Sequence, residues 1–191
     1  MSKQYDALRQ AIFPTLSDMT RFRQVVVNTV LATDIFDKEM SDMRKERWGR
    51  VFGEGIRNTI PEDQREDDSA RKIRTTIVLE HIIQASDVSH TMQHWHVYIK
   101  WNRKLFEELH LAYKDGRMGQ SPANFWYQGE LSFFDNYVIP LVKKLQECQV
   151  FGVSSDEYLQ YALSNRAEWE AKGESLVKEY MVDGEAGEPD V

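Results

Sequence analysis

The chain has 191 residues, 41% hydrophobic and 29% charged, which is enough for one domain with a real core. Lys and Arg number 24 against 31 Asp and Glu, and the net charge of −7 excludes the basic face of a nucleic-acid binder. A single cysteine, Cys148, excludes an intrachain disulfide and fits a reducing compartment. No run approaches the roughly 20 apolar residues of a membrane span, and MSKQYDALRQ lacks a signal-peptide core, so the expectation is a cytoplasmic protein with no membrane segment.

In chain order, Thr15 and Asp18 of TLSDMTRFRQVVVNTVLATD stand at capping-box spacing and open a helix. Phe22, Val26, Val30 and Thr33 then recur at helical steps, and SDMRKERWGRVF continues the pattern with more charge. Residues 62–70, EDQREDDSA, carry no apolar side chain before Ala70 and read, after Pro61, as a solvated loop. RKIRTTIVLEHIIQASD spreads Ile73, Ile77, Val78, Leu79, Ile82, Ile83 and Ala85 over more than one face, the mark of a largely enclosed helix. HWHVYIKWNRKLFEELHLAYKDG places Trp95, Tyr98, Trp101, Leu105 and Leu109 at steps of three or four, with Gly116 as its stop.

RMGQSPANFWYQ reads as a loop, and GELSFFDNYVIPLVKKLQEC as an aromatic-rich helix that Pro140 should kink or interrupt. Ser154 and Glu157 form a second capping-box pair, opening a helix that should close near Gly173. No strand period or internal repeat stands out. The expected class is all-α, a compact multi-helix domain over residues 1–181 with a loop at 61–70, followed by a disordered acidic tail at 182–191.

No Gly-rich phosphate loop, CxxC or GxSxG is present. The chemistry concentrates instead in IIQASDVSHTMQHWHVY. Asp87 ends the enclosed helix, where a carboxylate opposes the helix dipole and, if buried, carries a desolvation cost. A divalent metal would offset both, as would a cap on the following helix or an arginine partner. His90 and His94 are four apart, a spacing that on a helix puts both imidazoles on one face, but Thr91 stands where a zinc protease has glutamate. Asp34, in VLATDIFDKE, is a second acidic residue in an apolar helical setting.

VLATD, then ASDVS about fifty residues later, then YIKWNRKLFEE, SPANF, FFDNYVIPL and NRAEWE form an ordered series from about Tyr5 to Trp169. This series resembles the C-terminal part of the class I 3′,5′-cyclic nucleotide phosphodiesterase catalytic domain, and FFDNYVIPL with HTMQHWHVY is similar to a microalgal branch sometimes fused to guanylyl cyclases. The resemblance implies an all-α fold that hydrolyses cAMP or cGMP at two divalent metals, Zn²⁺ and Mg²⁺ (or Mn²⁺), sharing a bridging hydroxide. It implies a cyclic nucleotide as ligand, with a guanylyl cyclase or regulatory domain fused to or associated with the chain. By position it makes Asp87 a metal ligand and Asp34 a residue behind the metal site. It makes Tyr98 and Trp101 pocket aromatics, Leu105 an aliphatic pocket wall, and Phe133 the ring that stacks on the purine.

Three departures from the family pattern stand out. The family's His-Asn-x-x-His motif and His-Asp pair are missing, and the first histidine is His81, so the chain reads as a C-terminal fragment lacking its general acid and inactive alone. Glu130 occupies the place of the purine-reading glutamine; an amide donates and accepts, whereas a carboxylate only accepts. His90 replaces an asparagine, which makes it a pocket residue able to bond a purine edge. The alternative to a hydrolase is a non-catalytic helical regulatory or interaction module derived from the same fold.

Overall fold

In the computed structural model Thr15 caps a helix through the reciprocal pair its spacing predicts: its side chain accepts from the Asp18 amide at 3.1 Å, and the Asp18 carboxylate accepts from the Thr15 amide at 3.1 Å. The structure describes residues 5–35, 37–53, 68–149 and 151–186. Every regular element among them is helical, so the class is all-α. The helices group into two compact units, Met1–Asp87 and Val88–Val191. No described helix is long and apolar enough to cross a membrane.

The first unit contains α1 (Asp6–Ile12), α2 (Leu16–Ala32), α3 (Lys38–Phe52) and α4 (Asp68–Asp87). Asp37 caps α3 by accepting from the Met40 amide at 3.0 Å. The apolar residues of α2 set its period but not a closed core: Phe22, Val26 and Val30 are exposed, and Ala32 is buried. Helix α4 departs from the enclosed apolar helix expected from its composition. Ile73 and Leu79 are exposed, whereas Thr76, Ile77, Glu80, His81, Gln84 and Ala85 are buried. The buried polar groups are held by specific bonds. Glu80 pairs with Arg47 at 2.7 Å, His81 Nδ1 meets the Ile77 carbonyl at 2.7 Å, and Gln84 Nε2 donates to the Ala32 carbonyl at 2.8 Å. Residues 68–70, expected in a loop, form the first turn of α4, while 61–67 lie outside the described residues.

The second unit opens with a 3₁₀ turn, Ser89–Met92, and continues through α5 (Trp95–Lys114) and a second 3₁₀ turn, Pro122–Asn124. It closes with α6 (Trp126–Phe133), α7 (Ile139–Cys148) and α8 (Ser154–Ala186). Tyr98, Phe106, Phe134, Val138, Val142, Ala162 and Trp169 are its fully buried core. Helix α5 stops as predicted: Gly116 takes φ +72°, and the amides of Arg117 and Met118 reach back to the Ala112 carbonyl at 2.9 and 3.2 Å.

Pro140 has the expected effect on the helix through a change of register. Between α6 and α7, residues Phe134–Val138 form a π-helical turn, and the Ile139 amide bonds the Phe134 carbonyl five residues back. Two boundaries differ from the sequence reading. Helix α6 starts at Trp126, inside the stretch expected to be a loop, because the Trp126 indole is buried. Helix α8 runs through Gly173 to Ala186, past the point where disorder was expected to begin. A Cβ at Gly173 would lie 2.7 Å from the Trp169 ring and 2.8 Å from the Tyr127 ring. That glycine makes room where two aromatic rings cross the helix, and it does not end it.

Candidate functional site

The polar residues of α5 and α6 form a directed chain of hydrogen bonds. The Trp126 indole N–H, which can only donate, reaches Asn102 Oδ1 at 3.2 Å. That contact fixes the amide of Asn102, whose Nδ2 then donates to the Tyr98 hydroxyl at 3.2 Å. The Tyr98 hydroxyl passes its own proton on and donates to Glu130 Oε2 at 2.7 Å. Helical geometry makes this possible: Tyr98 and Asn102 are one turn apart on α5, and Trp126 and Glu130 one turn apart on α6.

Burial governs the electrostatics here. Tyr98 is fully buried and its hydroxyl pKa lies well above the ordinary value, first from desolvation and then from the Glu130 charge. Burial raises the Glu130 carboxyl as well, opposed by the hydrogen bonds from Tyr98 and Asn102. His90, in the 3₁₀ turn, lies with its ring nearly parallel to that of Tyr98, centroids 6.4 Å apart. Burial lowers its pKa, so near neutral pH it carries a neutral imidazole that can donate and accept.

Phe133 follows Glu130 by three residues on α6 and is half-buried; its ring stacks on Tyr137 at 5.3 Å and 18°. Trp101 and Leu105 lie one turn apart on α5 and are both exposed, and Lys104 Nζ sits 5.0 Å from the Trp101 ring centroid. The structure thus brings Tyr98, Glu130 and His90 together. It adds Asn102 and Trp126, which the sequence reading did not single out. Asn102, a short amide at the four-residue step between Tyr98 and Phe106 on the buried face of α5, was the available signal.

The His90–His94 pairing does not survive. The two residues flank the end of a 3₁₀ turn rather than sharing a helix face, and His94 Nε2 meets the Tyr161 hydroxyl at 3.0 Å. Thr91 and Gln93 are tied down instead by Asn165, whose Nδ2 donates to their carbonyls at 2.9 and 2.7 Å.

The two acidic candidates of the first unit, Asp87 and Asp34, are both exposed. Asp87 ends α4 with its side chain exposed, so water solvates the carboxylate and no cation is required to offset burial. Asp34 follows α2, is exposed, and accepts from the Asp37 amide at 3.3 Å; Arg44 donates to its backbone carbonyl at 3.2 Å. Among the described residues no group of three or more His, Cys, Asp and Glu is placed to hold a metal ion. The described residues therefore do not fit a two-metal centre by themselves.

A model of the 3′5′-cyclic nucleotide phosphodiesterase family matches residues 2–154. No curated protein and no solved structure matches the chain.

Proposed function

Because the chain belongs to the 3′,5′-cyclic nucleotide phosphodiesterase family, we propose that it serves cyclic nucleotide hydrolysis in signal transduction by holding the purine of cAMP or cGMP between α5 and α6. The observation that carries this reading is the 2.7 Å bond from Tyr98 to Glu130. It joins two positions the family resemblance assigns to the purine pocket and fixes the polar group that would meet the base. Phe133 supplies the stacking surface, His90 a second hydrogen-bonding group, and Trp101 and Leu105 the flanking apolar wall.

Asp87 is the carboxylate this chain would contribute to a metal held jointly with other donors, and Asp34 stands behind it. No catalytic step is assigned to these residues, because the described donors do not assemble a metal centre. The same observation favours a second reading, a non-catalytic module of the same fold that binds the nucleotide and passes the signal to a cyclase or regulatory domain in the cytoplasm.

Two measurements test both readings. Calorimetric titration of the chain with cAMP and cGMP should give saturable binding, weakened in Phe133→Ala by the loss of stacking worth roughly 1–3 kcal/mol. An unchanged affinity in that variant rules out Phe133 as the stacking ring. Incubation with cyclic nucleotide and Zn²⁺, Mg²⁺ or Mn²⁺ should give no 5′-nucleotide. Turnover by this chain would instead place a complete metal centre within it and remove the second reading.

A further inference from the structure

We propose that the cavity between α2, α3 and α4 binds a small organic phosphate, with the phosphate held by Arg21, Arg47 and Arg50 and the apolar body resting on Val25, Val51 and Ile73. The site lies wholly within the first unit and does not rest on the purine reading.

Helical spacing builds the cavity. On α2, Arg21, Val25 and Asn28 stand at steps of four and three. On α3, Arg50 and Val51 follow Arg47 by three and four residues, and on α4 Thr76 follows Ile73 by three. Each helix thus lends one stripe to the same space of about 370 Å³, a size found among small-molecule sites of roughly 300–1,000 Å³. Among the described residues no Asp or Glu lines it, although the chain carries a net charge of −7. Three arginines facing one cavity therefore stand out against the charge of the rest of the chain.

The guanidinium groups are positioned by bonds that leave donors over. Arg21 Nη2 donates to the Lys72 carbonyl at 3.0 Å and to Thr76 Oγ1 at 3.3 Å. Arg47 Nη2 donates to the buried Glu80 carboxylate at 2.7 Å. Arg50 Nη2 lies 3.4 Å from Glu46, and both of those side chains are exposed. In these contacts each arginine uses one of its three nitrogens, whereas a guanidinium carries five N–H donors and no acceptor. Arg47 Nε is buried and has no hydrogen-bond partner. Orphaned buried donors are rare, because water cannot replace the missing acceptor. An acceptor oxygen beside Arg47 would satisfy it.

The site therefore asks its ligand for acceptors and negative charge. Gln24 and Asn28 line it too, and their amides add further donors. A phosphomonoester offers three oxygens and close to two charges, and its oxygens match the planar arginine fork in pairs. A carboxylate offers two oxygens and one charge. The apolar wall of Val25, Val51 and Ile73 would gain nothing from inorganic phosphate, which has no apolar surface to bury. Arginine head and aliphatic wall together specify a phosphate attached to a small apolar group.

Calorimetric titration of the 191-residue chain with phenyl phosphate, inorganic phosphate and benzoate tests this. Phenyl phosphate should bind saturably, with a Kd of ~1 mM or below. It should bind roughly tenfold tighter than inorganic phosphate, which lacks the apolar body, and than benzoate, which lacks the third oxygen and second charge. The Arg50 side chain is 68% exposed, so replacing it leaves the packing intact. Arg50→Gln should weaken phenyl phosphate by about fivefold or more, with the helical circular dichroism signal retained. Ile73 is also exposed, and Ile73→Ser should weaken phenyl phosphate while leaving inorganic phosphate unchanged. Inorganic phosphate or benzoate binding as tightly as phenyl phosphate would overturn the assignment to an organic phosphate. Unchanged affinity in Arg50→Gln would place the binding elsewhere, and absence of saturable binding by all three probes would remove the site altogether.

Discussion

At the scale of single residues, Glu130 has consequences for stability as well as for recognition. Its pKa is raised in the folded chain, with burial as the first cause. The folded state therefore holds this proton more tightly than the unfolded state, and stability is lost as pH rises from about 4, the unfolded carboxyl value, through the raised folded value. Above that window the desolvation cost is fully present. Glu130→Gln keeps an acceptor for the Tyr98 hydroxyl and removes the charge. Its Tm should exceed that of the unsubstituted chain at neutral pH, and the difference should shrink toward zero as pH approaches about 4. A difference constant across that range would mean that Glu130 is not a strained carboxylate in the fold. The sequence allowed Glu130, Phe133, Tyr98 and His90 to be named because the matching segments keep their spacing. It did not allow Asn102 and Trp126 to be tied to them, since a hydrogen-bonded chain across two helices depends on side-chain direction that spacing does not encode. Asp87 shows the opposite limit: its position at a helix end was legible, but its exposure depends on what packs around that end.

At the scale of elements, the placement of His90 depends on a tie from a distant part of the chain. The 3₁₀ turn Ser89–Met92 is four residues long, and Asn165 of α8 donates to the Thr91 and Gln93 carbonyls. Asn165 is buried, so removing its amide leaves carbonyls without water to replace it. Asn165→Ala should destabilise the chain by about 2–4 kcal/mol. Asn165→Asp should be no better, because it offers no donor and sets a charge against two carbonyl oxygens. Urea unfolding of both variants checks this, and a loss below about 0.5 kcal/mol, the range of ordinary surface changes, would show the tie to be dispensable. Gly173 gives a second case. Intrinsic propensity alone would favour Gly173→Ala by about 1 kcal/mol. Its Cβ, however, would lie 2.7 Å from the ring of Trp169, a fully buried side chain whose indole donates to the Tyr127 carbonyl at 3.1 Å. Overpacking of about 1–3 kcal/mol should prevail, giving a net loss of stability and a shift in tryptophan emission. A gain of stability would mean that the rings yield. These two residues also show why the helices were legible and some ends were not. Caps such as Thr15 and stops such as Gly116 act through neighbours in sequence. Gly173 meets Tyr127 of another helix, and Trp126 meets Asn102 and Phe106 of α5, so a local reading takes a packing glycine for a stop.

At the scale of the whole molecule, charge and ligand are in tension. The chain carries a net charge of −7, and the proposed ligand is itself an anion. The group proposed to meet the base is a carboxylate, and the groups proposed to hold the purine (Tyr98, Phe133, His90, Trp101 and Leu105) offer no fixed positive charge to the cyclic phosphate. Binding of cGMP by the chain alone should therefore come from stacking and base hydrogen bonds, with the long-range field opposing it. Screening falls on that opposing field first, since charges more than about 10 Å apart are largely masked at ~0.1 M salt. Affinity for cGMP should accordingly hold or rise as NaCl goes from ~0.02 to ~0.2 M. A fall of tenfold over that range would reveal a cationic phosphate site that the reading lacks. Divalent ions separate a further possibility. If Asp87 contributes to a shared metal that neutralises the phosphate, Mg²⁺ or Zn²⁺ should raise cGMP affinity beyond what NaCl of equal ionic strength does, and Asp87→Ala should abolish only that increment. If the exposed Asp87 carboxylate is simply solvated, as one acidic group without a cluster around it would be, divalent ions and NaCl should act alike at equal ionic strength. The chain would then bind its nucleotide without metal, which is the behaviour of a sensor and not of a hydrolase.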